Sequence, residues 1–85
     1  MQVEIAGVKG RLWWEYVRGH ELTYAYWSKQ EGNPDDPDSM GWAECSEEDK
    51  FCKEIGRKIS LTRLLSKMNL TKQQRKDVWN QYWAR

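Results

Sequence analysis

The sequence predicts an α+β domain: an antiparallel sheet of three to four strands over residues 1–45, then two C-terminal α-helices over 46–69 and 71–84, the first packed on the sheet. Three observations predict it. Apolar and polar residues alternate with period two through the first half, the second half changes to a helical period, and helix-start signals stand at Ser46 and Thr71. At 85 residues the chain is read as a single domain, 1–85, that buries only about 60 to 65 % of its unfolded surface. Six Trp, four Tyr and one Phe compensate with large apolar area on few rotors. Not all eleven rings fit inside, so some aromatic surface is expected to remain for a partner.

Val3 and Ile5 alternate with Gln2 and Glu4, giving the first strand. Gly7 and Gly10 mark the turn to a second, in which Leu12, Trp14 and Tyr16 alternate with Arg11, Trp13, Glu15 and Val17. After Gly19 and His20, a third strand sets Leu22, Tyr24 and Tyr26 on one face against Thr23, Ala25 and Trp27 on the other. Gln30 to Ser39 carries Gly32, Asn33, Pro34 and Pro37 with four acidic residues, which is turn chemistry with an acidic tip. A short fourth run, Met40 to Cys45, follows.

The first helix opens at Ser46 as N-cap with Asp49 three residues on, and Glu47 and Glu48 sit at the positive end of its dipole. At 100° per residue, Phe51, Ile55 and Ile59 share one arc and Leu61, Leu64, Leu65 and Met68 another. The expectation is two packing partners, the sheet for the first arc and a second helix for the other. Asn69-Leu70 is the stop signal, and Thr71 with Gln74 forms a second capping box. In the helix that follows, Val78, Trp79, Tyr82 and Trp83 fall within an arc of roughly 140°, wide enough to pack and too wide to hide entirely.

Charge is divided along the chain. Residues 1–48 carry ten acidic side chains against four basic, a net of −6, whereas residues 49–85 carry ten basic against three acidic, a net of +7. The total of +1 hides two regions of opposite sign, an arrangement suited to choosing and orienting a charged partner. No apolar run approaches the ~20 residues of a membrane span, and Met1 to Gly10 lacks the pattern of a signal peptide. The expectation is a soluble cytoplasmic protein with no membrane partner.

Catalytic, metal and cofactor signatures do not emerge. Cys45 and Cys52 fit neither a zinc site nor a redox pair and are read as reduced thiols. Asp35, Asp36 and Asp38 lack the alternating ligands, central glycine and terminal Glu of a calcium loop. His20 lies at a turn without a nucleophile nearby, and nothing desolvates Glu15 or Glu21 as an acid and base pair. The chain is therefore read as no enzyme, with no metal and no cofactor.

Two basic stripes remain. On the first helix Lys53, Gly56, Ser60, Arg63 and Lys67 fill the gap between the apolar arcs and are expected to face solvent. Gly56 costs about 1 kcal/mol in mid-helix relative to Ala, so it is either a packing notch under a large aromatic or a point of close approach by a partner. On the second helix Lys72, Arg75, Lys76, Trp79 and Trp83 share an arc of roughly 100°, mixing cations and aromatics as a hot spot or a nucleic-acid stacking platform does. The candidate partner-binding residues are Arg63, Lys67, Lys72, Arg75, Lys76, Trp79 and Trp83.

Residues Cys45 to Leu65, with an acidic cap followed by Phe51 and the Ile55-Gly56-Arg57-Lys58-Ile59 core, resemble a segment of small uncharacterised proteins encoded by bacteriophages and prophages. The segment from Leu70 to Arg75 and its aromatic helix look similar too. The likeness covers about 40 of the 85 residues and leaves the strands unmatched. It implies a protein of the host bacterial cytoplasm that binds a host protein or nucleoprotein complex, in the manner of anti-CRISPR and other counter-defence inhibitors. The balanced charge departs from the strongly acidic DNA mimics among those inhibitors. Direct nucleic-acid binding by the same helices is the competing reading, and self-association of acidic and basic halves is a third.

Overall fold

A computed structural model describes residues 1–17, 19, 21–32, 35–44 and 53–85. It shows a four-stranded antiparallel sheet in the order β1-β2-β3-β4, formed by Gln2–Ile5, Val8–Val17, Leu22–Lys29 and Ser39–Glu44. Helices α1 (Lys53–Ser66) and α2 (Lys72–Ala84) follow. The predicted Ser46 cap, both cysteines, Phe51 and His20 lie outside the described residues.

Period-two patterning sets the faces of the sheet. Val3, Ile5, Leu12, Ala25, Trp27 and Ala43 are buried, all on the side that takes both helices. α1 lies across β3 and β4, and α2 runs beside β1. Leu61, Leu64, Leu65, Val78 and Tyr82 complete the core. Tyr82 is the largest fully buried side chain, wedged between Trp14 at 5.7 Å, Trp79 at 5.5 Å and Trp83 at 5.2 Å between ring centroids. Burying one such ring contributes about 2 to 3 kcal/mol, much of what a domain this small can gather from any single residue.

The β1–β2 turn differs from the sequence expectation. Ile5 pairs with Val8, so only Ala6 and Gly7 form the loop, both with positive φ (52° and 81°) as a right-twisted hairpin requires. Gly10 is instead a strand residue opposite Val3; a Cβ there would sit 2.4 Å from the Ser28 carbonyl and 2.9 Å from the Trp27 ring. Its missing side chain makes room for that indole.

The face that α1 turns to the sheet also differs. Ile55 and Ile59 are 55 % and 40 % exposed, while Ser60 is fully buried and Gly56 sits against Thr23. The residues expected to form a solvent-facing stripe therefore include the contact face itself. The reason lies in the partner surface: β3 and β4 present Thr23, Ala25, Gly41 and Ala43, a low platform that admits close approach only by small helix residues. A Cβ on Gly41 would lie 2.4 Å from the Ser60 carbonyl and the Leu64 amide. Gly56 is thus a packing notch, filled by a threonine where an aromatic was expected.

Asn69, in the left-handed conformation with φ 57°, ends the first helical segment. At the start of α2 the Thr71 side chain accepts from the Gln74 amide and the Gln74 side chain accepts from the Thr71 amide, the reciprocal cap read from the sequence.

Candidate partner-binding surface

α1 and α2 lie side by side on one face of the sheet, and an open groove of about 440 Å³ runs between them, lined by Thr62 and Leu65 of α1 and by Lys72, Arg75, Lys76 and Trp79 of α2. Four of the seven predicted residues therefore meet in one place. Their convergence follows from helical spacing: Lys72, Arg75, Lys76 and Trp79 lie three to four residues apart, one above another on one face. Val78 and Tyr82, on the adjoining face, anchor the helix in the core.

No carboxylate lines the groove, and among the described residues none of Lys72, Arg75 and Lys76 forms an ion pair. Arg75 Nη1 donates to the Leu70 carbonyl at 3.1 Å, which steadies it at the groove mouth. Trp79 is half-buried and Trp83, its neighbour at 6.4 Å, is 61 % exposed. Lys58 Nζ of α1 stands 4.8 Å from the centroid of the Trp83 ring, extending the cationic rim across both helices. Lys58 and Thr62 escaped the sequence reading as site residues, and Leu65 was read only as packing toward the second helix, because attention to each helix alone does not show what a neighbouring helix brings alongside.

Arg63 and Lys67 sit elsewhere. They lean over the outer edge of the sheet, where Arg63 Nη1 donates to the Trp42 carbonyl at 2.8 Å and Lys67 Nζ to the Met40 carbonyl at 3.0 Å. Lys67 Nζ also lies 4.6 Å from the Trp42 ring centroid. These cations satisfy backbone acceptors of an edge strand and so protect it from pairing with another chain. At the opposite edge Gln81 performs the same service, accepting from the Glu4 amide at 2.8 Å and donating to the Glu4 carbonyl at 2.7 Å.

Beneath Trp83 a polar clamp holds the end of α2 to the start of α1. The buried Tyr82 hydroxyl donates to Glu54 Oε1 at 2.6 Å, and Arg57 and Arg85 approach the same carboxylate at 3.6 and 3.5 Å. The Tyr82 hydrogen bond, with the nearby cations, holds the Glu54 carboxyl below its ordinary value, while burial and that same hydrogen bond push the Tyr82 phenol up.

In the acidic segment, Asp38 accepts from the Lys29 amide at 2.8 Å and so closes the end of β3. Among the described residues no group of three His, Cys, Asp or Glu side chains is placed to hold a metal ion, and no helix is long and apolar enough to cross a membrane.

Fold and surface together define an α+β domain with a meander sheet, helices on one face and a cationic, aromatic interhelical groove. Comparison with family models, curated proteins and solved structures finds no match to this chain.

Proposed function

We propose that the chain is a non-enzymatic binding protein that docks an anionic surface of a host protein or nucleoprotein complex in the groove between α1 and α2, inhibiting or redirecting that partner. One observation carries this reading: three cations without ion pairs line a groove with the Trp79 indole, the exposed Trp83 indole stands beside it, and among the described residues no carboxylate lines it. Aromatic and cationic groups in that combination supply an anchor and a steering field, the former through desolvated contact and the latter through long-range attraction. The resemblance of residues 45–65 to small phage proteins points the same way, toward the bacterial cytoplasm and a counter-defence role such as inhibition of a CRISPR-type effector.

The competing reading, direct nucleic-acid binding, draws on the same groove, with Lys72, Arg75 and Lys76 on phosphates and Trp79 or Trp83 stacked on a base. Titration with short single- and double-stranded DNA and RNA across a salt series separates the two. Saturable binding at or below about 10 µM with a steep salt slope supports the nucleic-acid reading. Absence of such binding, together with co-purification of a host protein by the wild type and its loss with Arg75→Glu, supports the first.

A further inference from the structure

We infer that the uncovered face of the sheet is a second docking surface, one that receives an arginine-bearing extended segment of a partner protein. Both helices pack on the other side, and among the described residues no further element is laid on this face. Register sets Trp13 opposite Tyr26 and Tyr26 opposite Met40, and in the next row Glu15 opposite Tyr24 and Tyr24 opposite Trp42. The rings form a ladder: Trp13 stacks on Tyr26 at 5.5 Å and Tyr26 on Tyr24 at 6.1 Å, with interplanar angles of 26° and 14°. Trp42 is 44 % and Met40 37 % exposed at one side of it.

Charge decides the occupant. The chain covers several of its rings with its own cations: Lys53 over Tyr16, Lys58 over Trp83, Arg85 over Tyr82 and, at the edge of this face, Lys67 over Trp42. Among the described residues no cation stands over Trp13, Tyr24 or Tyr26. Arg11 flanks Trp13 at one end of the face and Lys67 covers Trp42 at its edge, whereas the charged groups nearest Tyr24 and Tyr26 are negative. Burial and the adjacent, exposed Glu15 push the Tyr26 phenol up, and Glu44 is exposed at the end of β4. Stacked electron-rich faces next to carboxylates complement a guanidinium, whose plane lies flat on an indole or phenol while its N–H groups reach a carboxylate. An extended segment suits the surface because its alternate side chains repeat about every 6.6 to 6.8 Å, the spacing of alternate residues along the strands beneath. Single-stranded nucleic acid also stacks on such sheets, but its phosphates would meet Glu15 and Glu44.

The test is calorimetric titration of the intact protein at low salt with a short peptide of alternating Arg and Gly, and separately with oligothymidine. The expected result is saturable peptide binding that weakens about tenfold in the Glu15→Gln/Glu44→Gln double variant. Binding should not weaken in Lys72→Glu/Lys76→Glu, whose added negative charge can only favour a cationic peptide. The two substituted carboxylates are exposed and Gln matches Glu in size, so folding is preserved. Three results overturn the inference: no saturable binding of the peptide, equal binding by wild type and the Gln variant, or oligothymidine that binds the Gln variant more tightly than wild type and competes with the peptide. The groove variants report on the interhelical site alone, so either surface can fail without the other.

Discussion

Two glycines look alike in sequence and differ in what surrounds them. At Gly41 a methyl group would meet backbone, the Ser60 carbonyl and Leu64 amide at 2.4 Å, and a helix cannot give way at one point without moving as a whole. At Gly56 it would meet one side chain, the Thr23 hydroxyl at 2.5 Å and Cβ at 3.2 Å, which is stiff and buried but can shift without moving a helix, and alanine would return about 1 kcal/mol of helix propensity. Gly41→Ala is therefore expected to cost about 1 to 3 kcal/mol in urea unfolding, and Gly56→Ala to fall within about 1 kcal/mol of wild type. Equal losses would mean that α1 is free to lift from the sheet. A second residue-level expectation concerns Glu54, whose carboxyl the Tyr82 hydroxyl holds below its ordinary value. Because the folded protein binds that proton less readily than the unfolded chain, the stabilisation is present above the ordinary carboxylate range and is lost as pH falls through the folded value. Tyr82→Phe, which keeps the ring and removes the donor, should lower the melting temperature near neutrality by more than it does on the acid side of that range. A difference that stays constant through acidification would detach Glu54 from the effect.

Among the elements, the edges of the sheet carry the next expectation. Gln81 mimics a neighbouring strand by accepting from and donating to Glu4, so Gln81→Leu should cost about 1 kcal/mol, read by chemical denaturation, and Gln81→Asn, one methylene too short, should not restore it. Nothing in the sequence announces this role, since glutamine on an exposed helix face is ordinary. Much else was legible. Alternation of Val3 and Ile5, of Leu12 and Trp14 and of Thr23, Ala25 and Trp27 identified both strands and faces, because a half-buried sheet imposes period two on its own sequence. Thr71 and Gln74 located the start of α2 for an equally local reason. The orientation of α1 was not legible, because the rule that large apolar groups face inward fails where the platform is Gly41, Ala43, Ala25 and Thr23. Close packing of small residues then outweighs burial of Ile55 and Ile59. The candidate site divided along the same line: Lys72, Arg75, Lys76 and Trp79 share a helix face and could be grouped from spacing, whereas the turn of Arg63 and Lys67 toward the sheet edge depends on how α1 sits.

At the scale of the whole molecule, the charge division along the chain becomes a division between layers. The helices present Lys58, Lys72, Arg75 and Lys76 on one side, and the sheet presents Glu15 and Glu44 beside an aromatic ladder on the other. The two proposed surfaces thus lie on opposite faces and differ in sign, so an occupant of one would not block the other. The seven basic and aromatic residues singled out from the sequence should accordingly separate by phenotype. Arg63→Ala and Lys67→Ala remove donors from the Trp42 and Met40 carbonyls, so each should cost about 0.5 to 1.5 kcal/mol of stability while leaving partner capture through the groove intact. Lys72→Glu and Lys76→Glu touch no structural acceptor and should leave stability within about 0.5 kcal/mol of wild type. Reversing two cations in a groove that no carboxylate lines among the described residues should still slow association with an anionic partner, and the deficit should shrink as salt screens the field over about 10 Å. Trp83→Ala, at an exposed position, should raise the dissociation rate more than it lowers the association rate, because an anchor acts after contact is made. Surface plasmon resonance against the captured host partner, run beside urea unfolding of every variant, reads both axes at once. Should Arg63→Ala weaken capture as much as the charge reversals do, the docking surface would extend from the groove around α1 to the β4 edge.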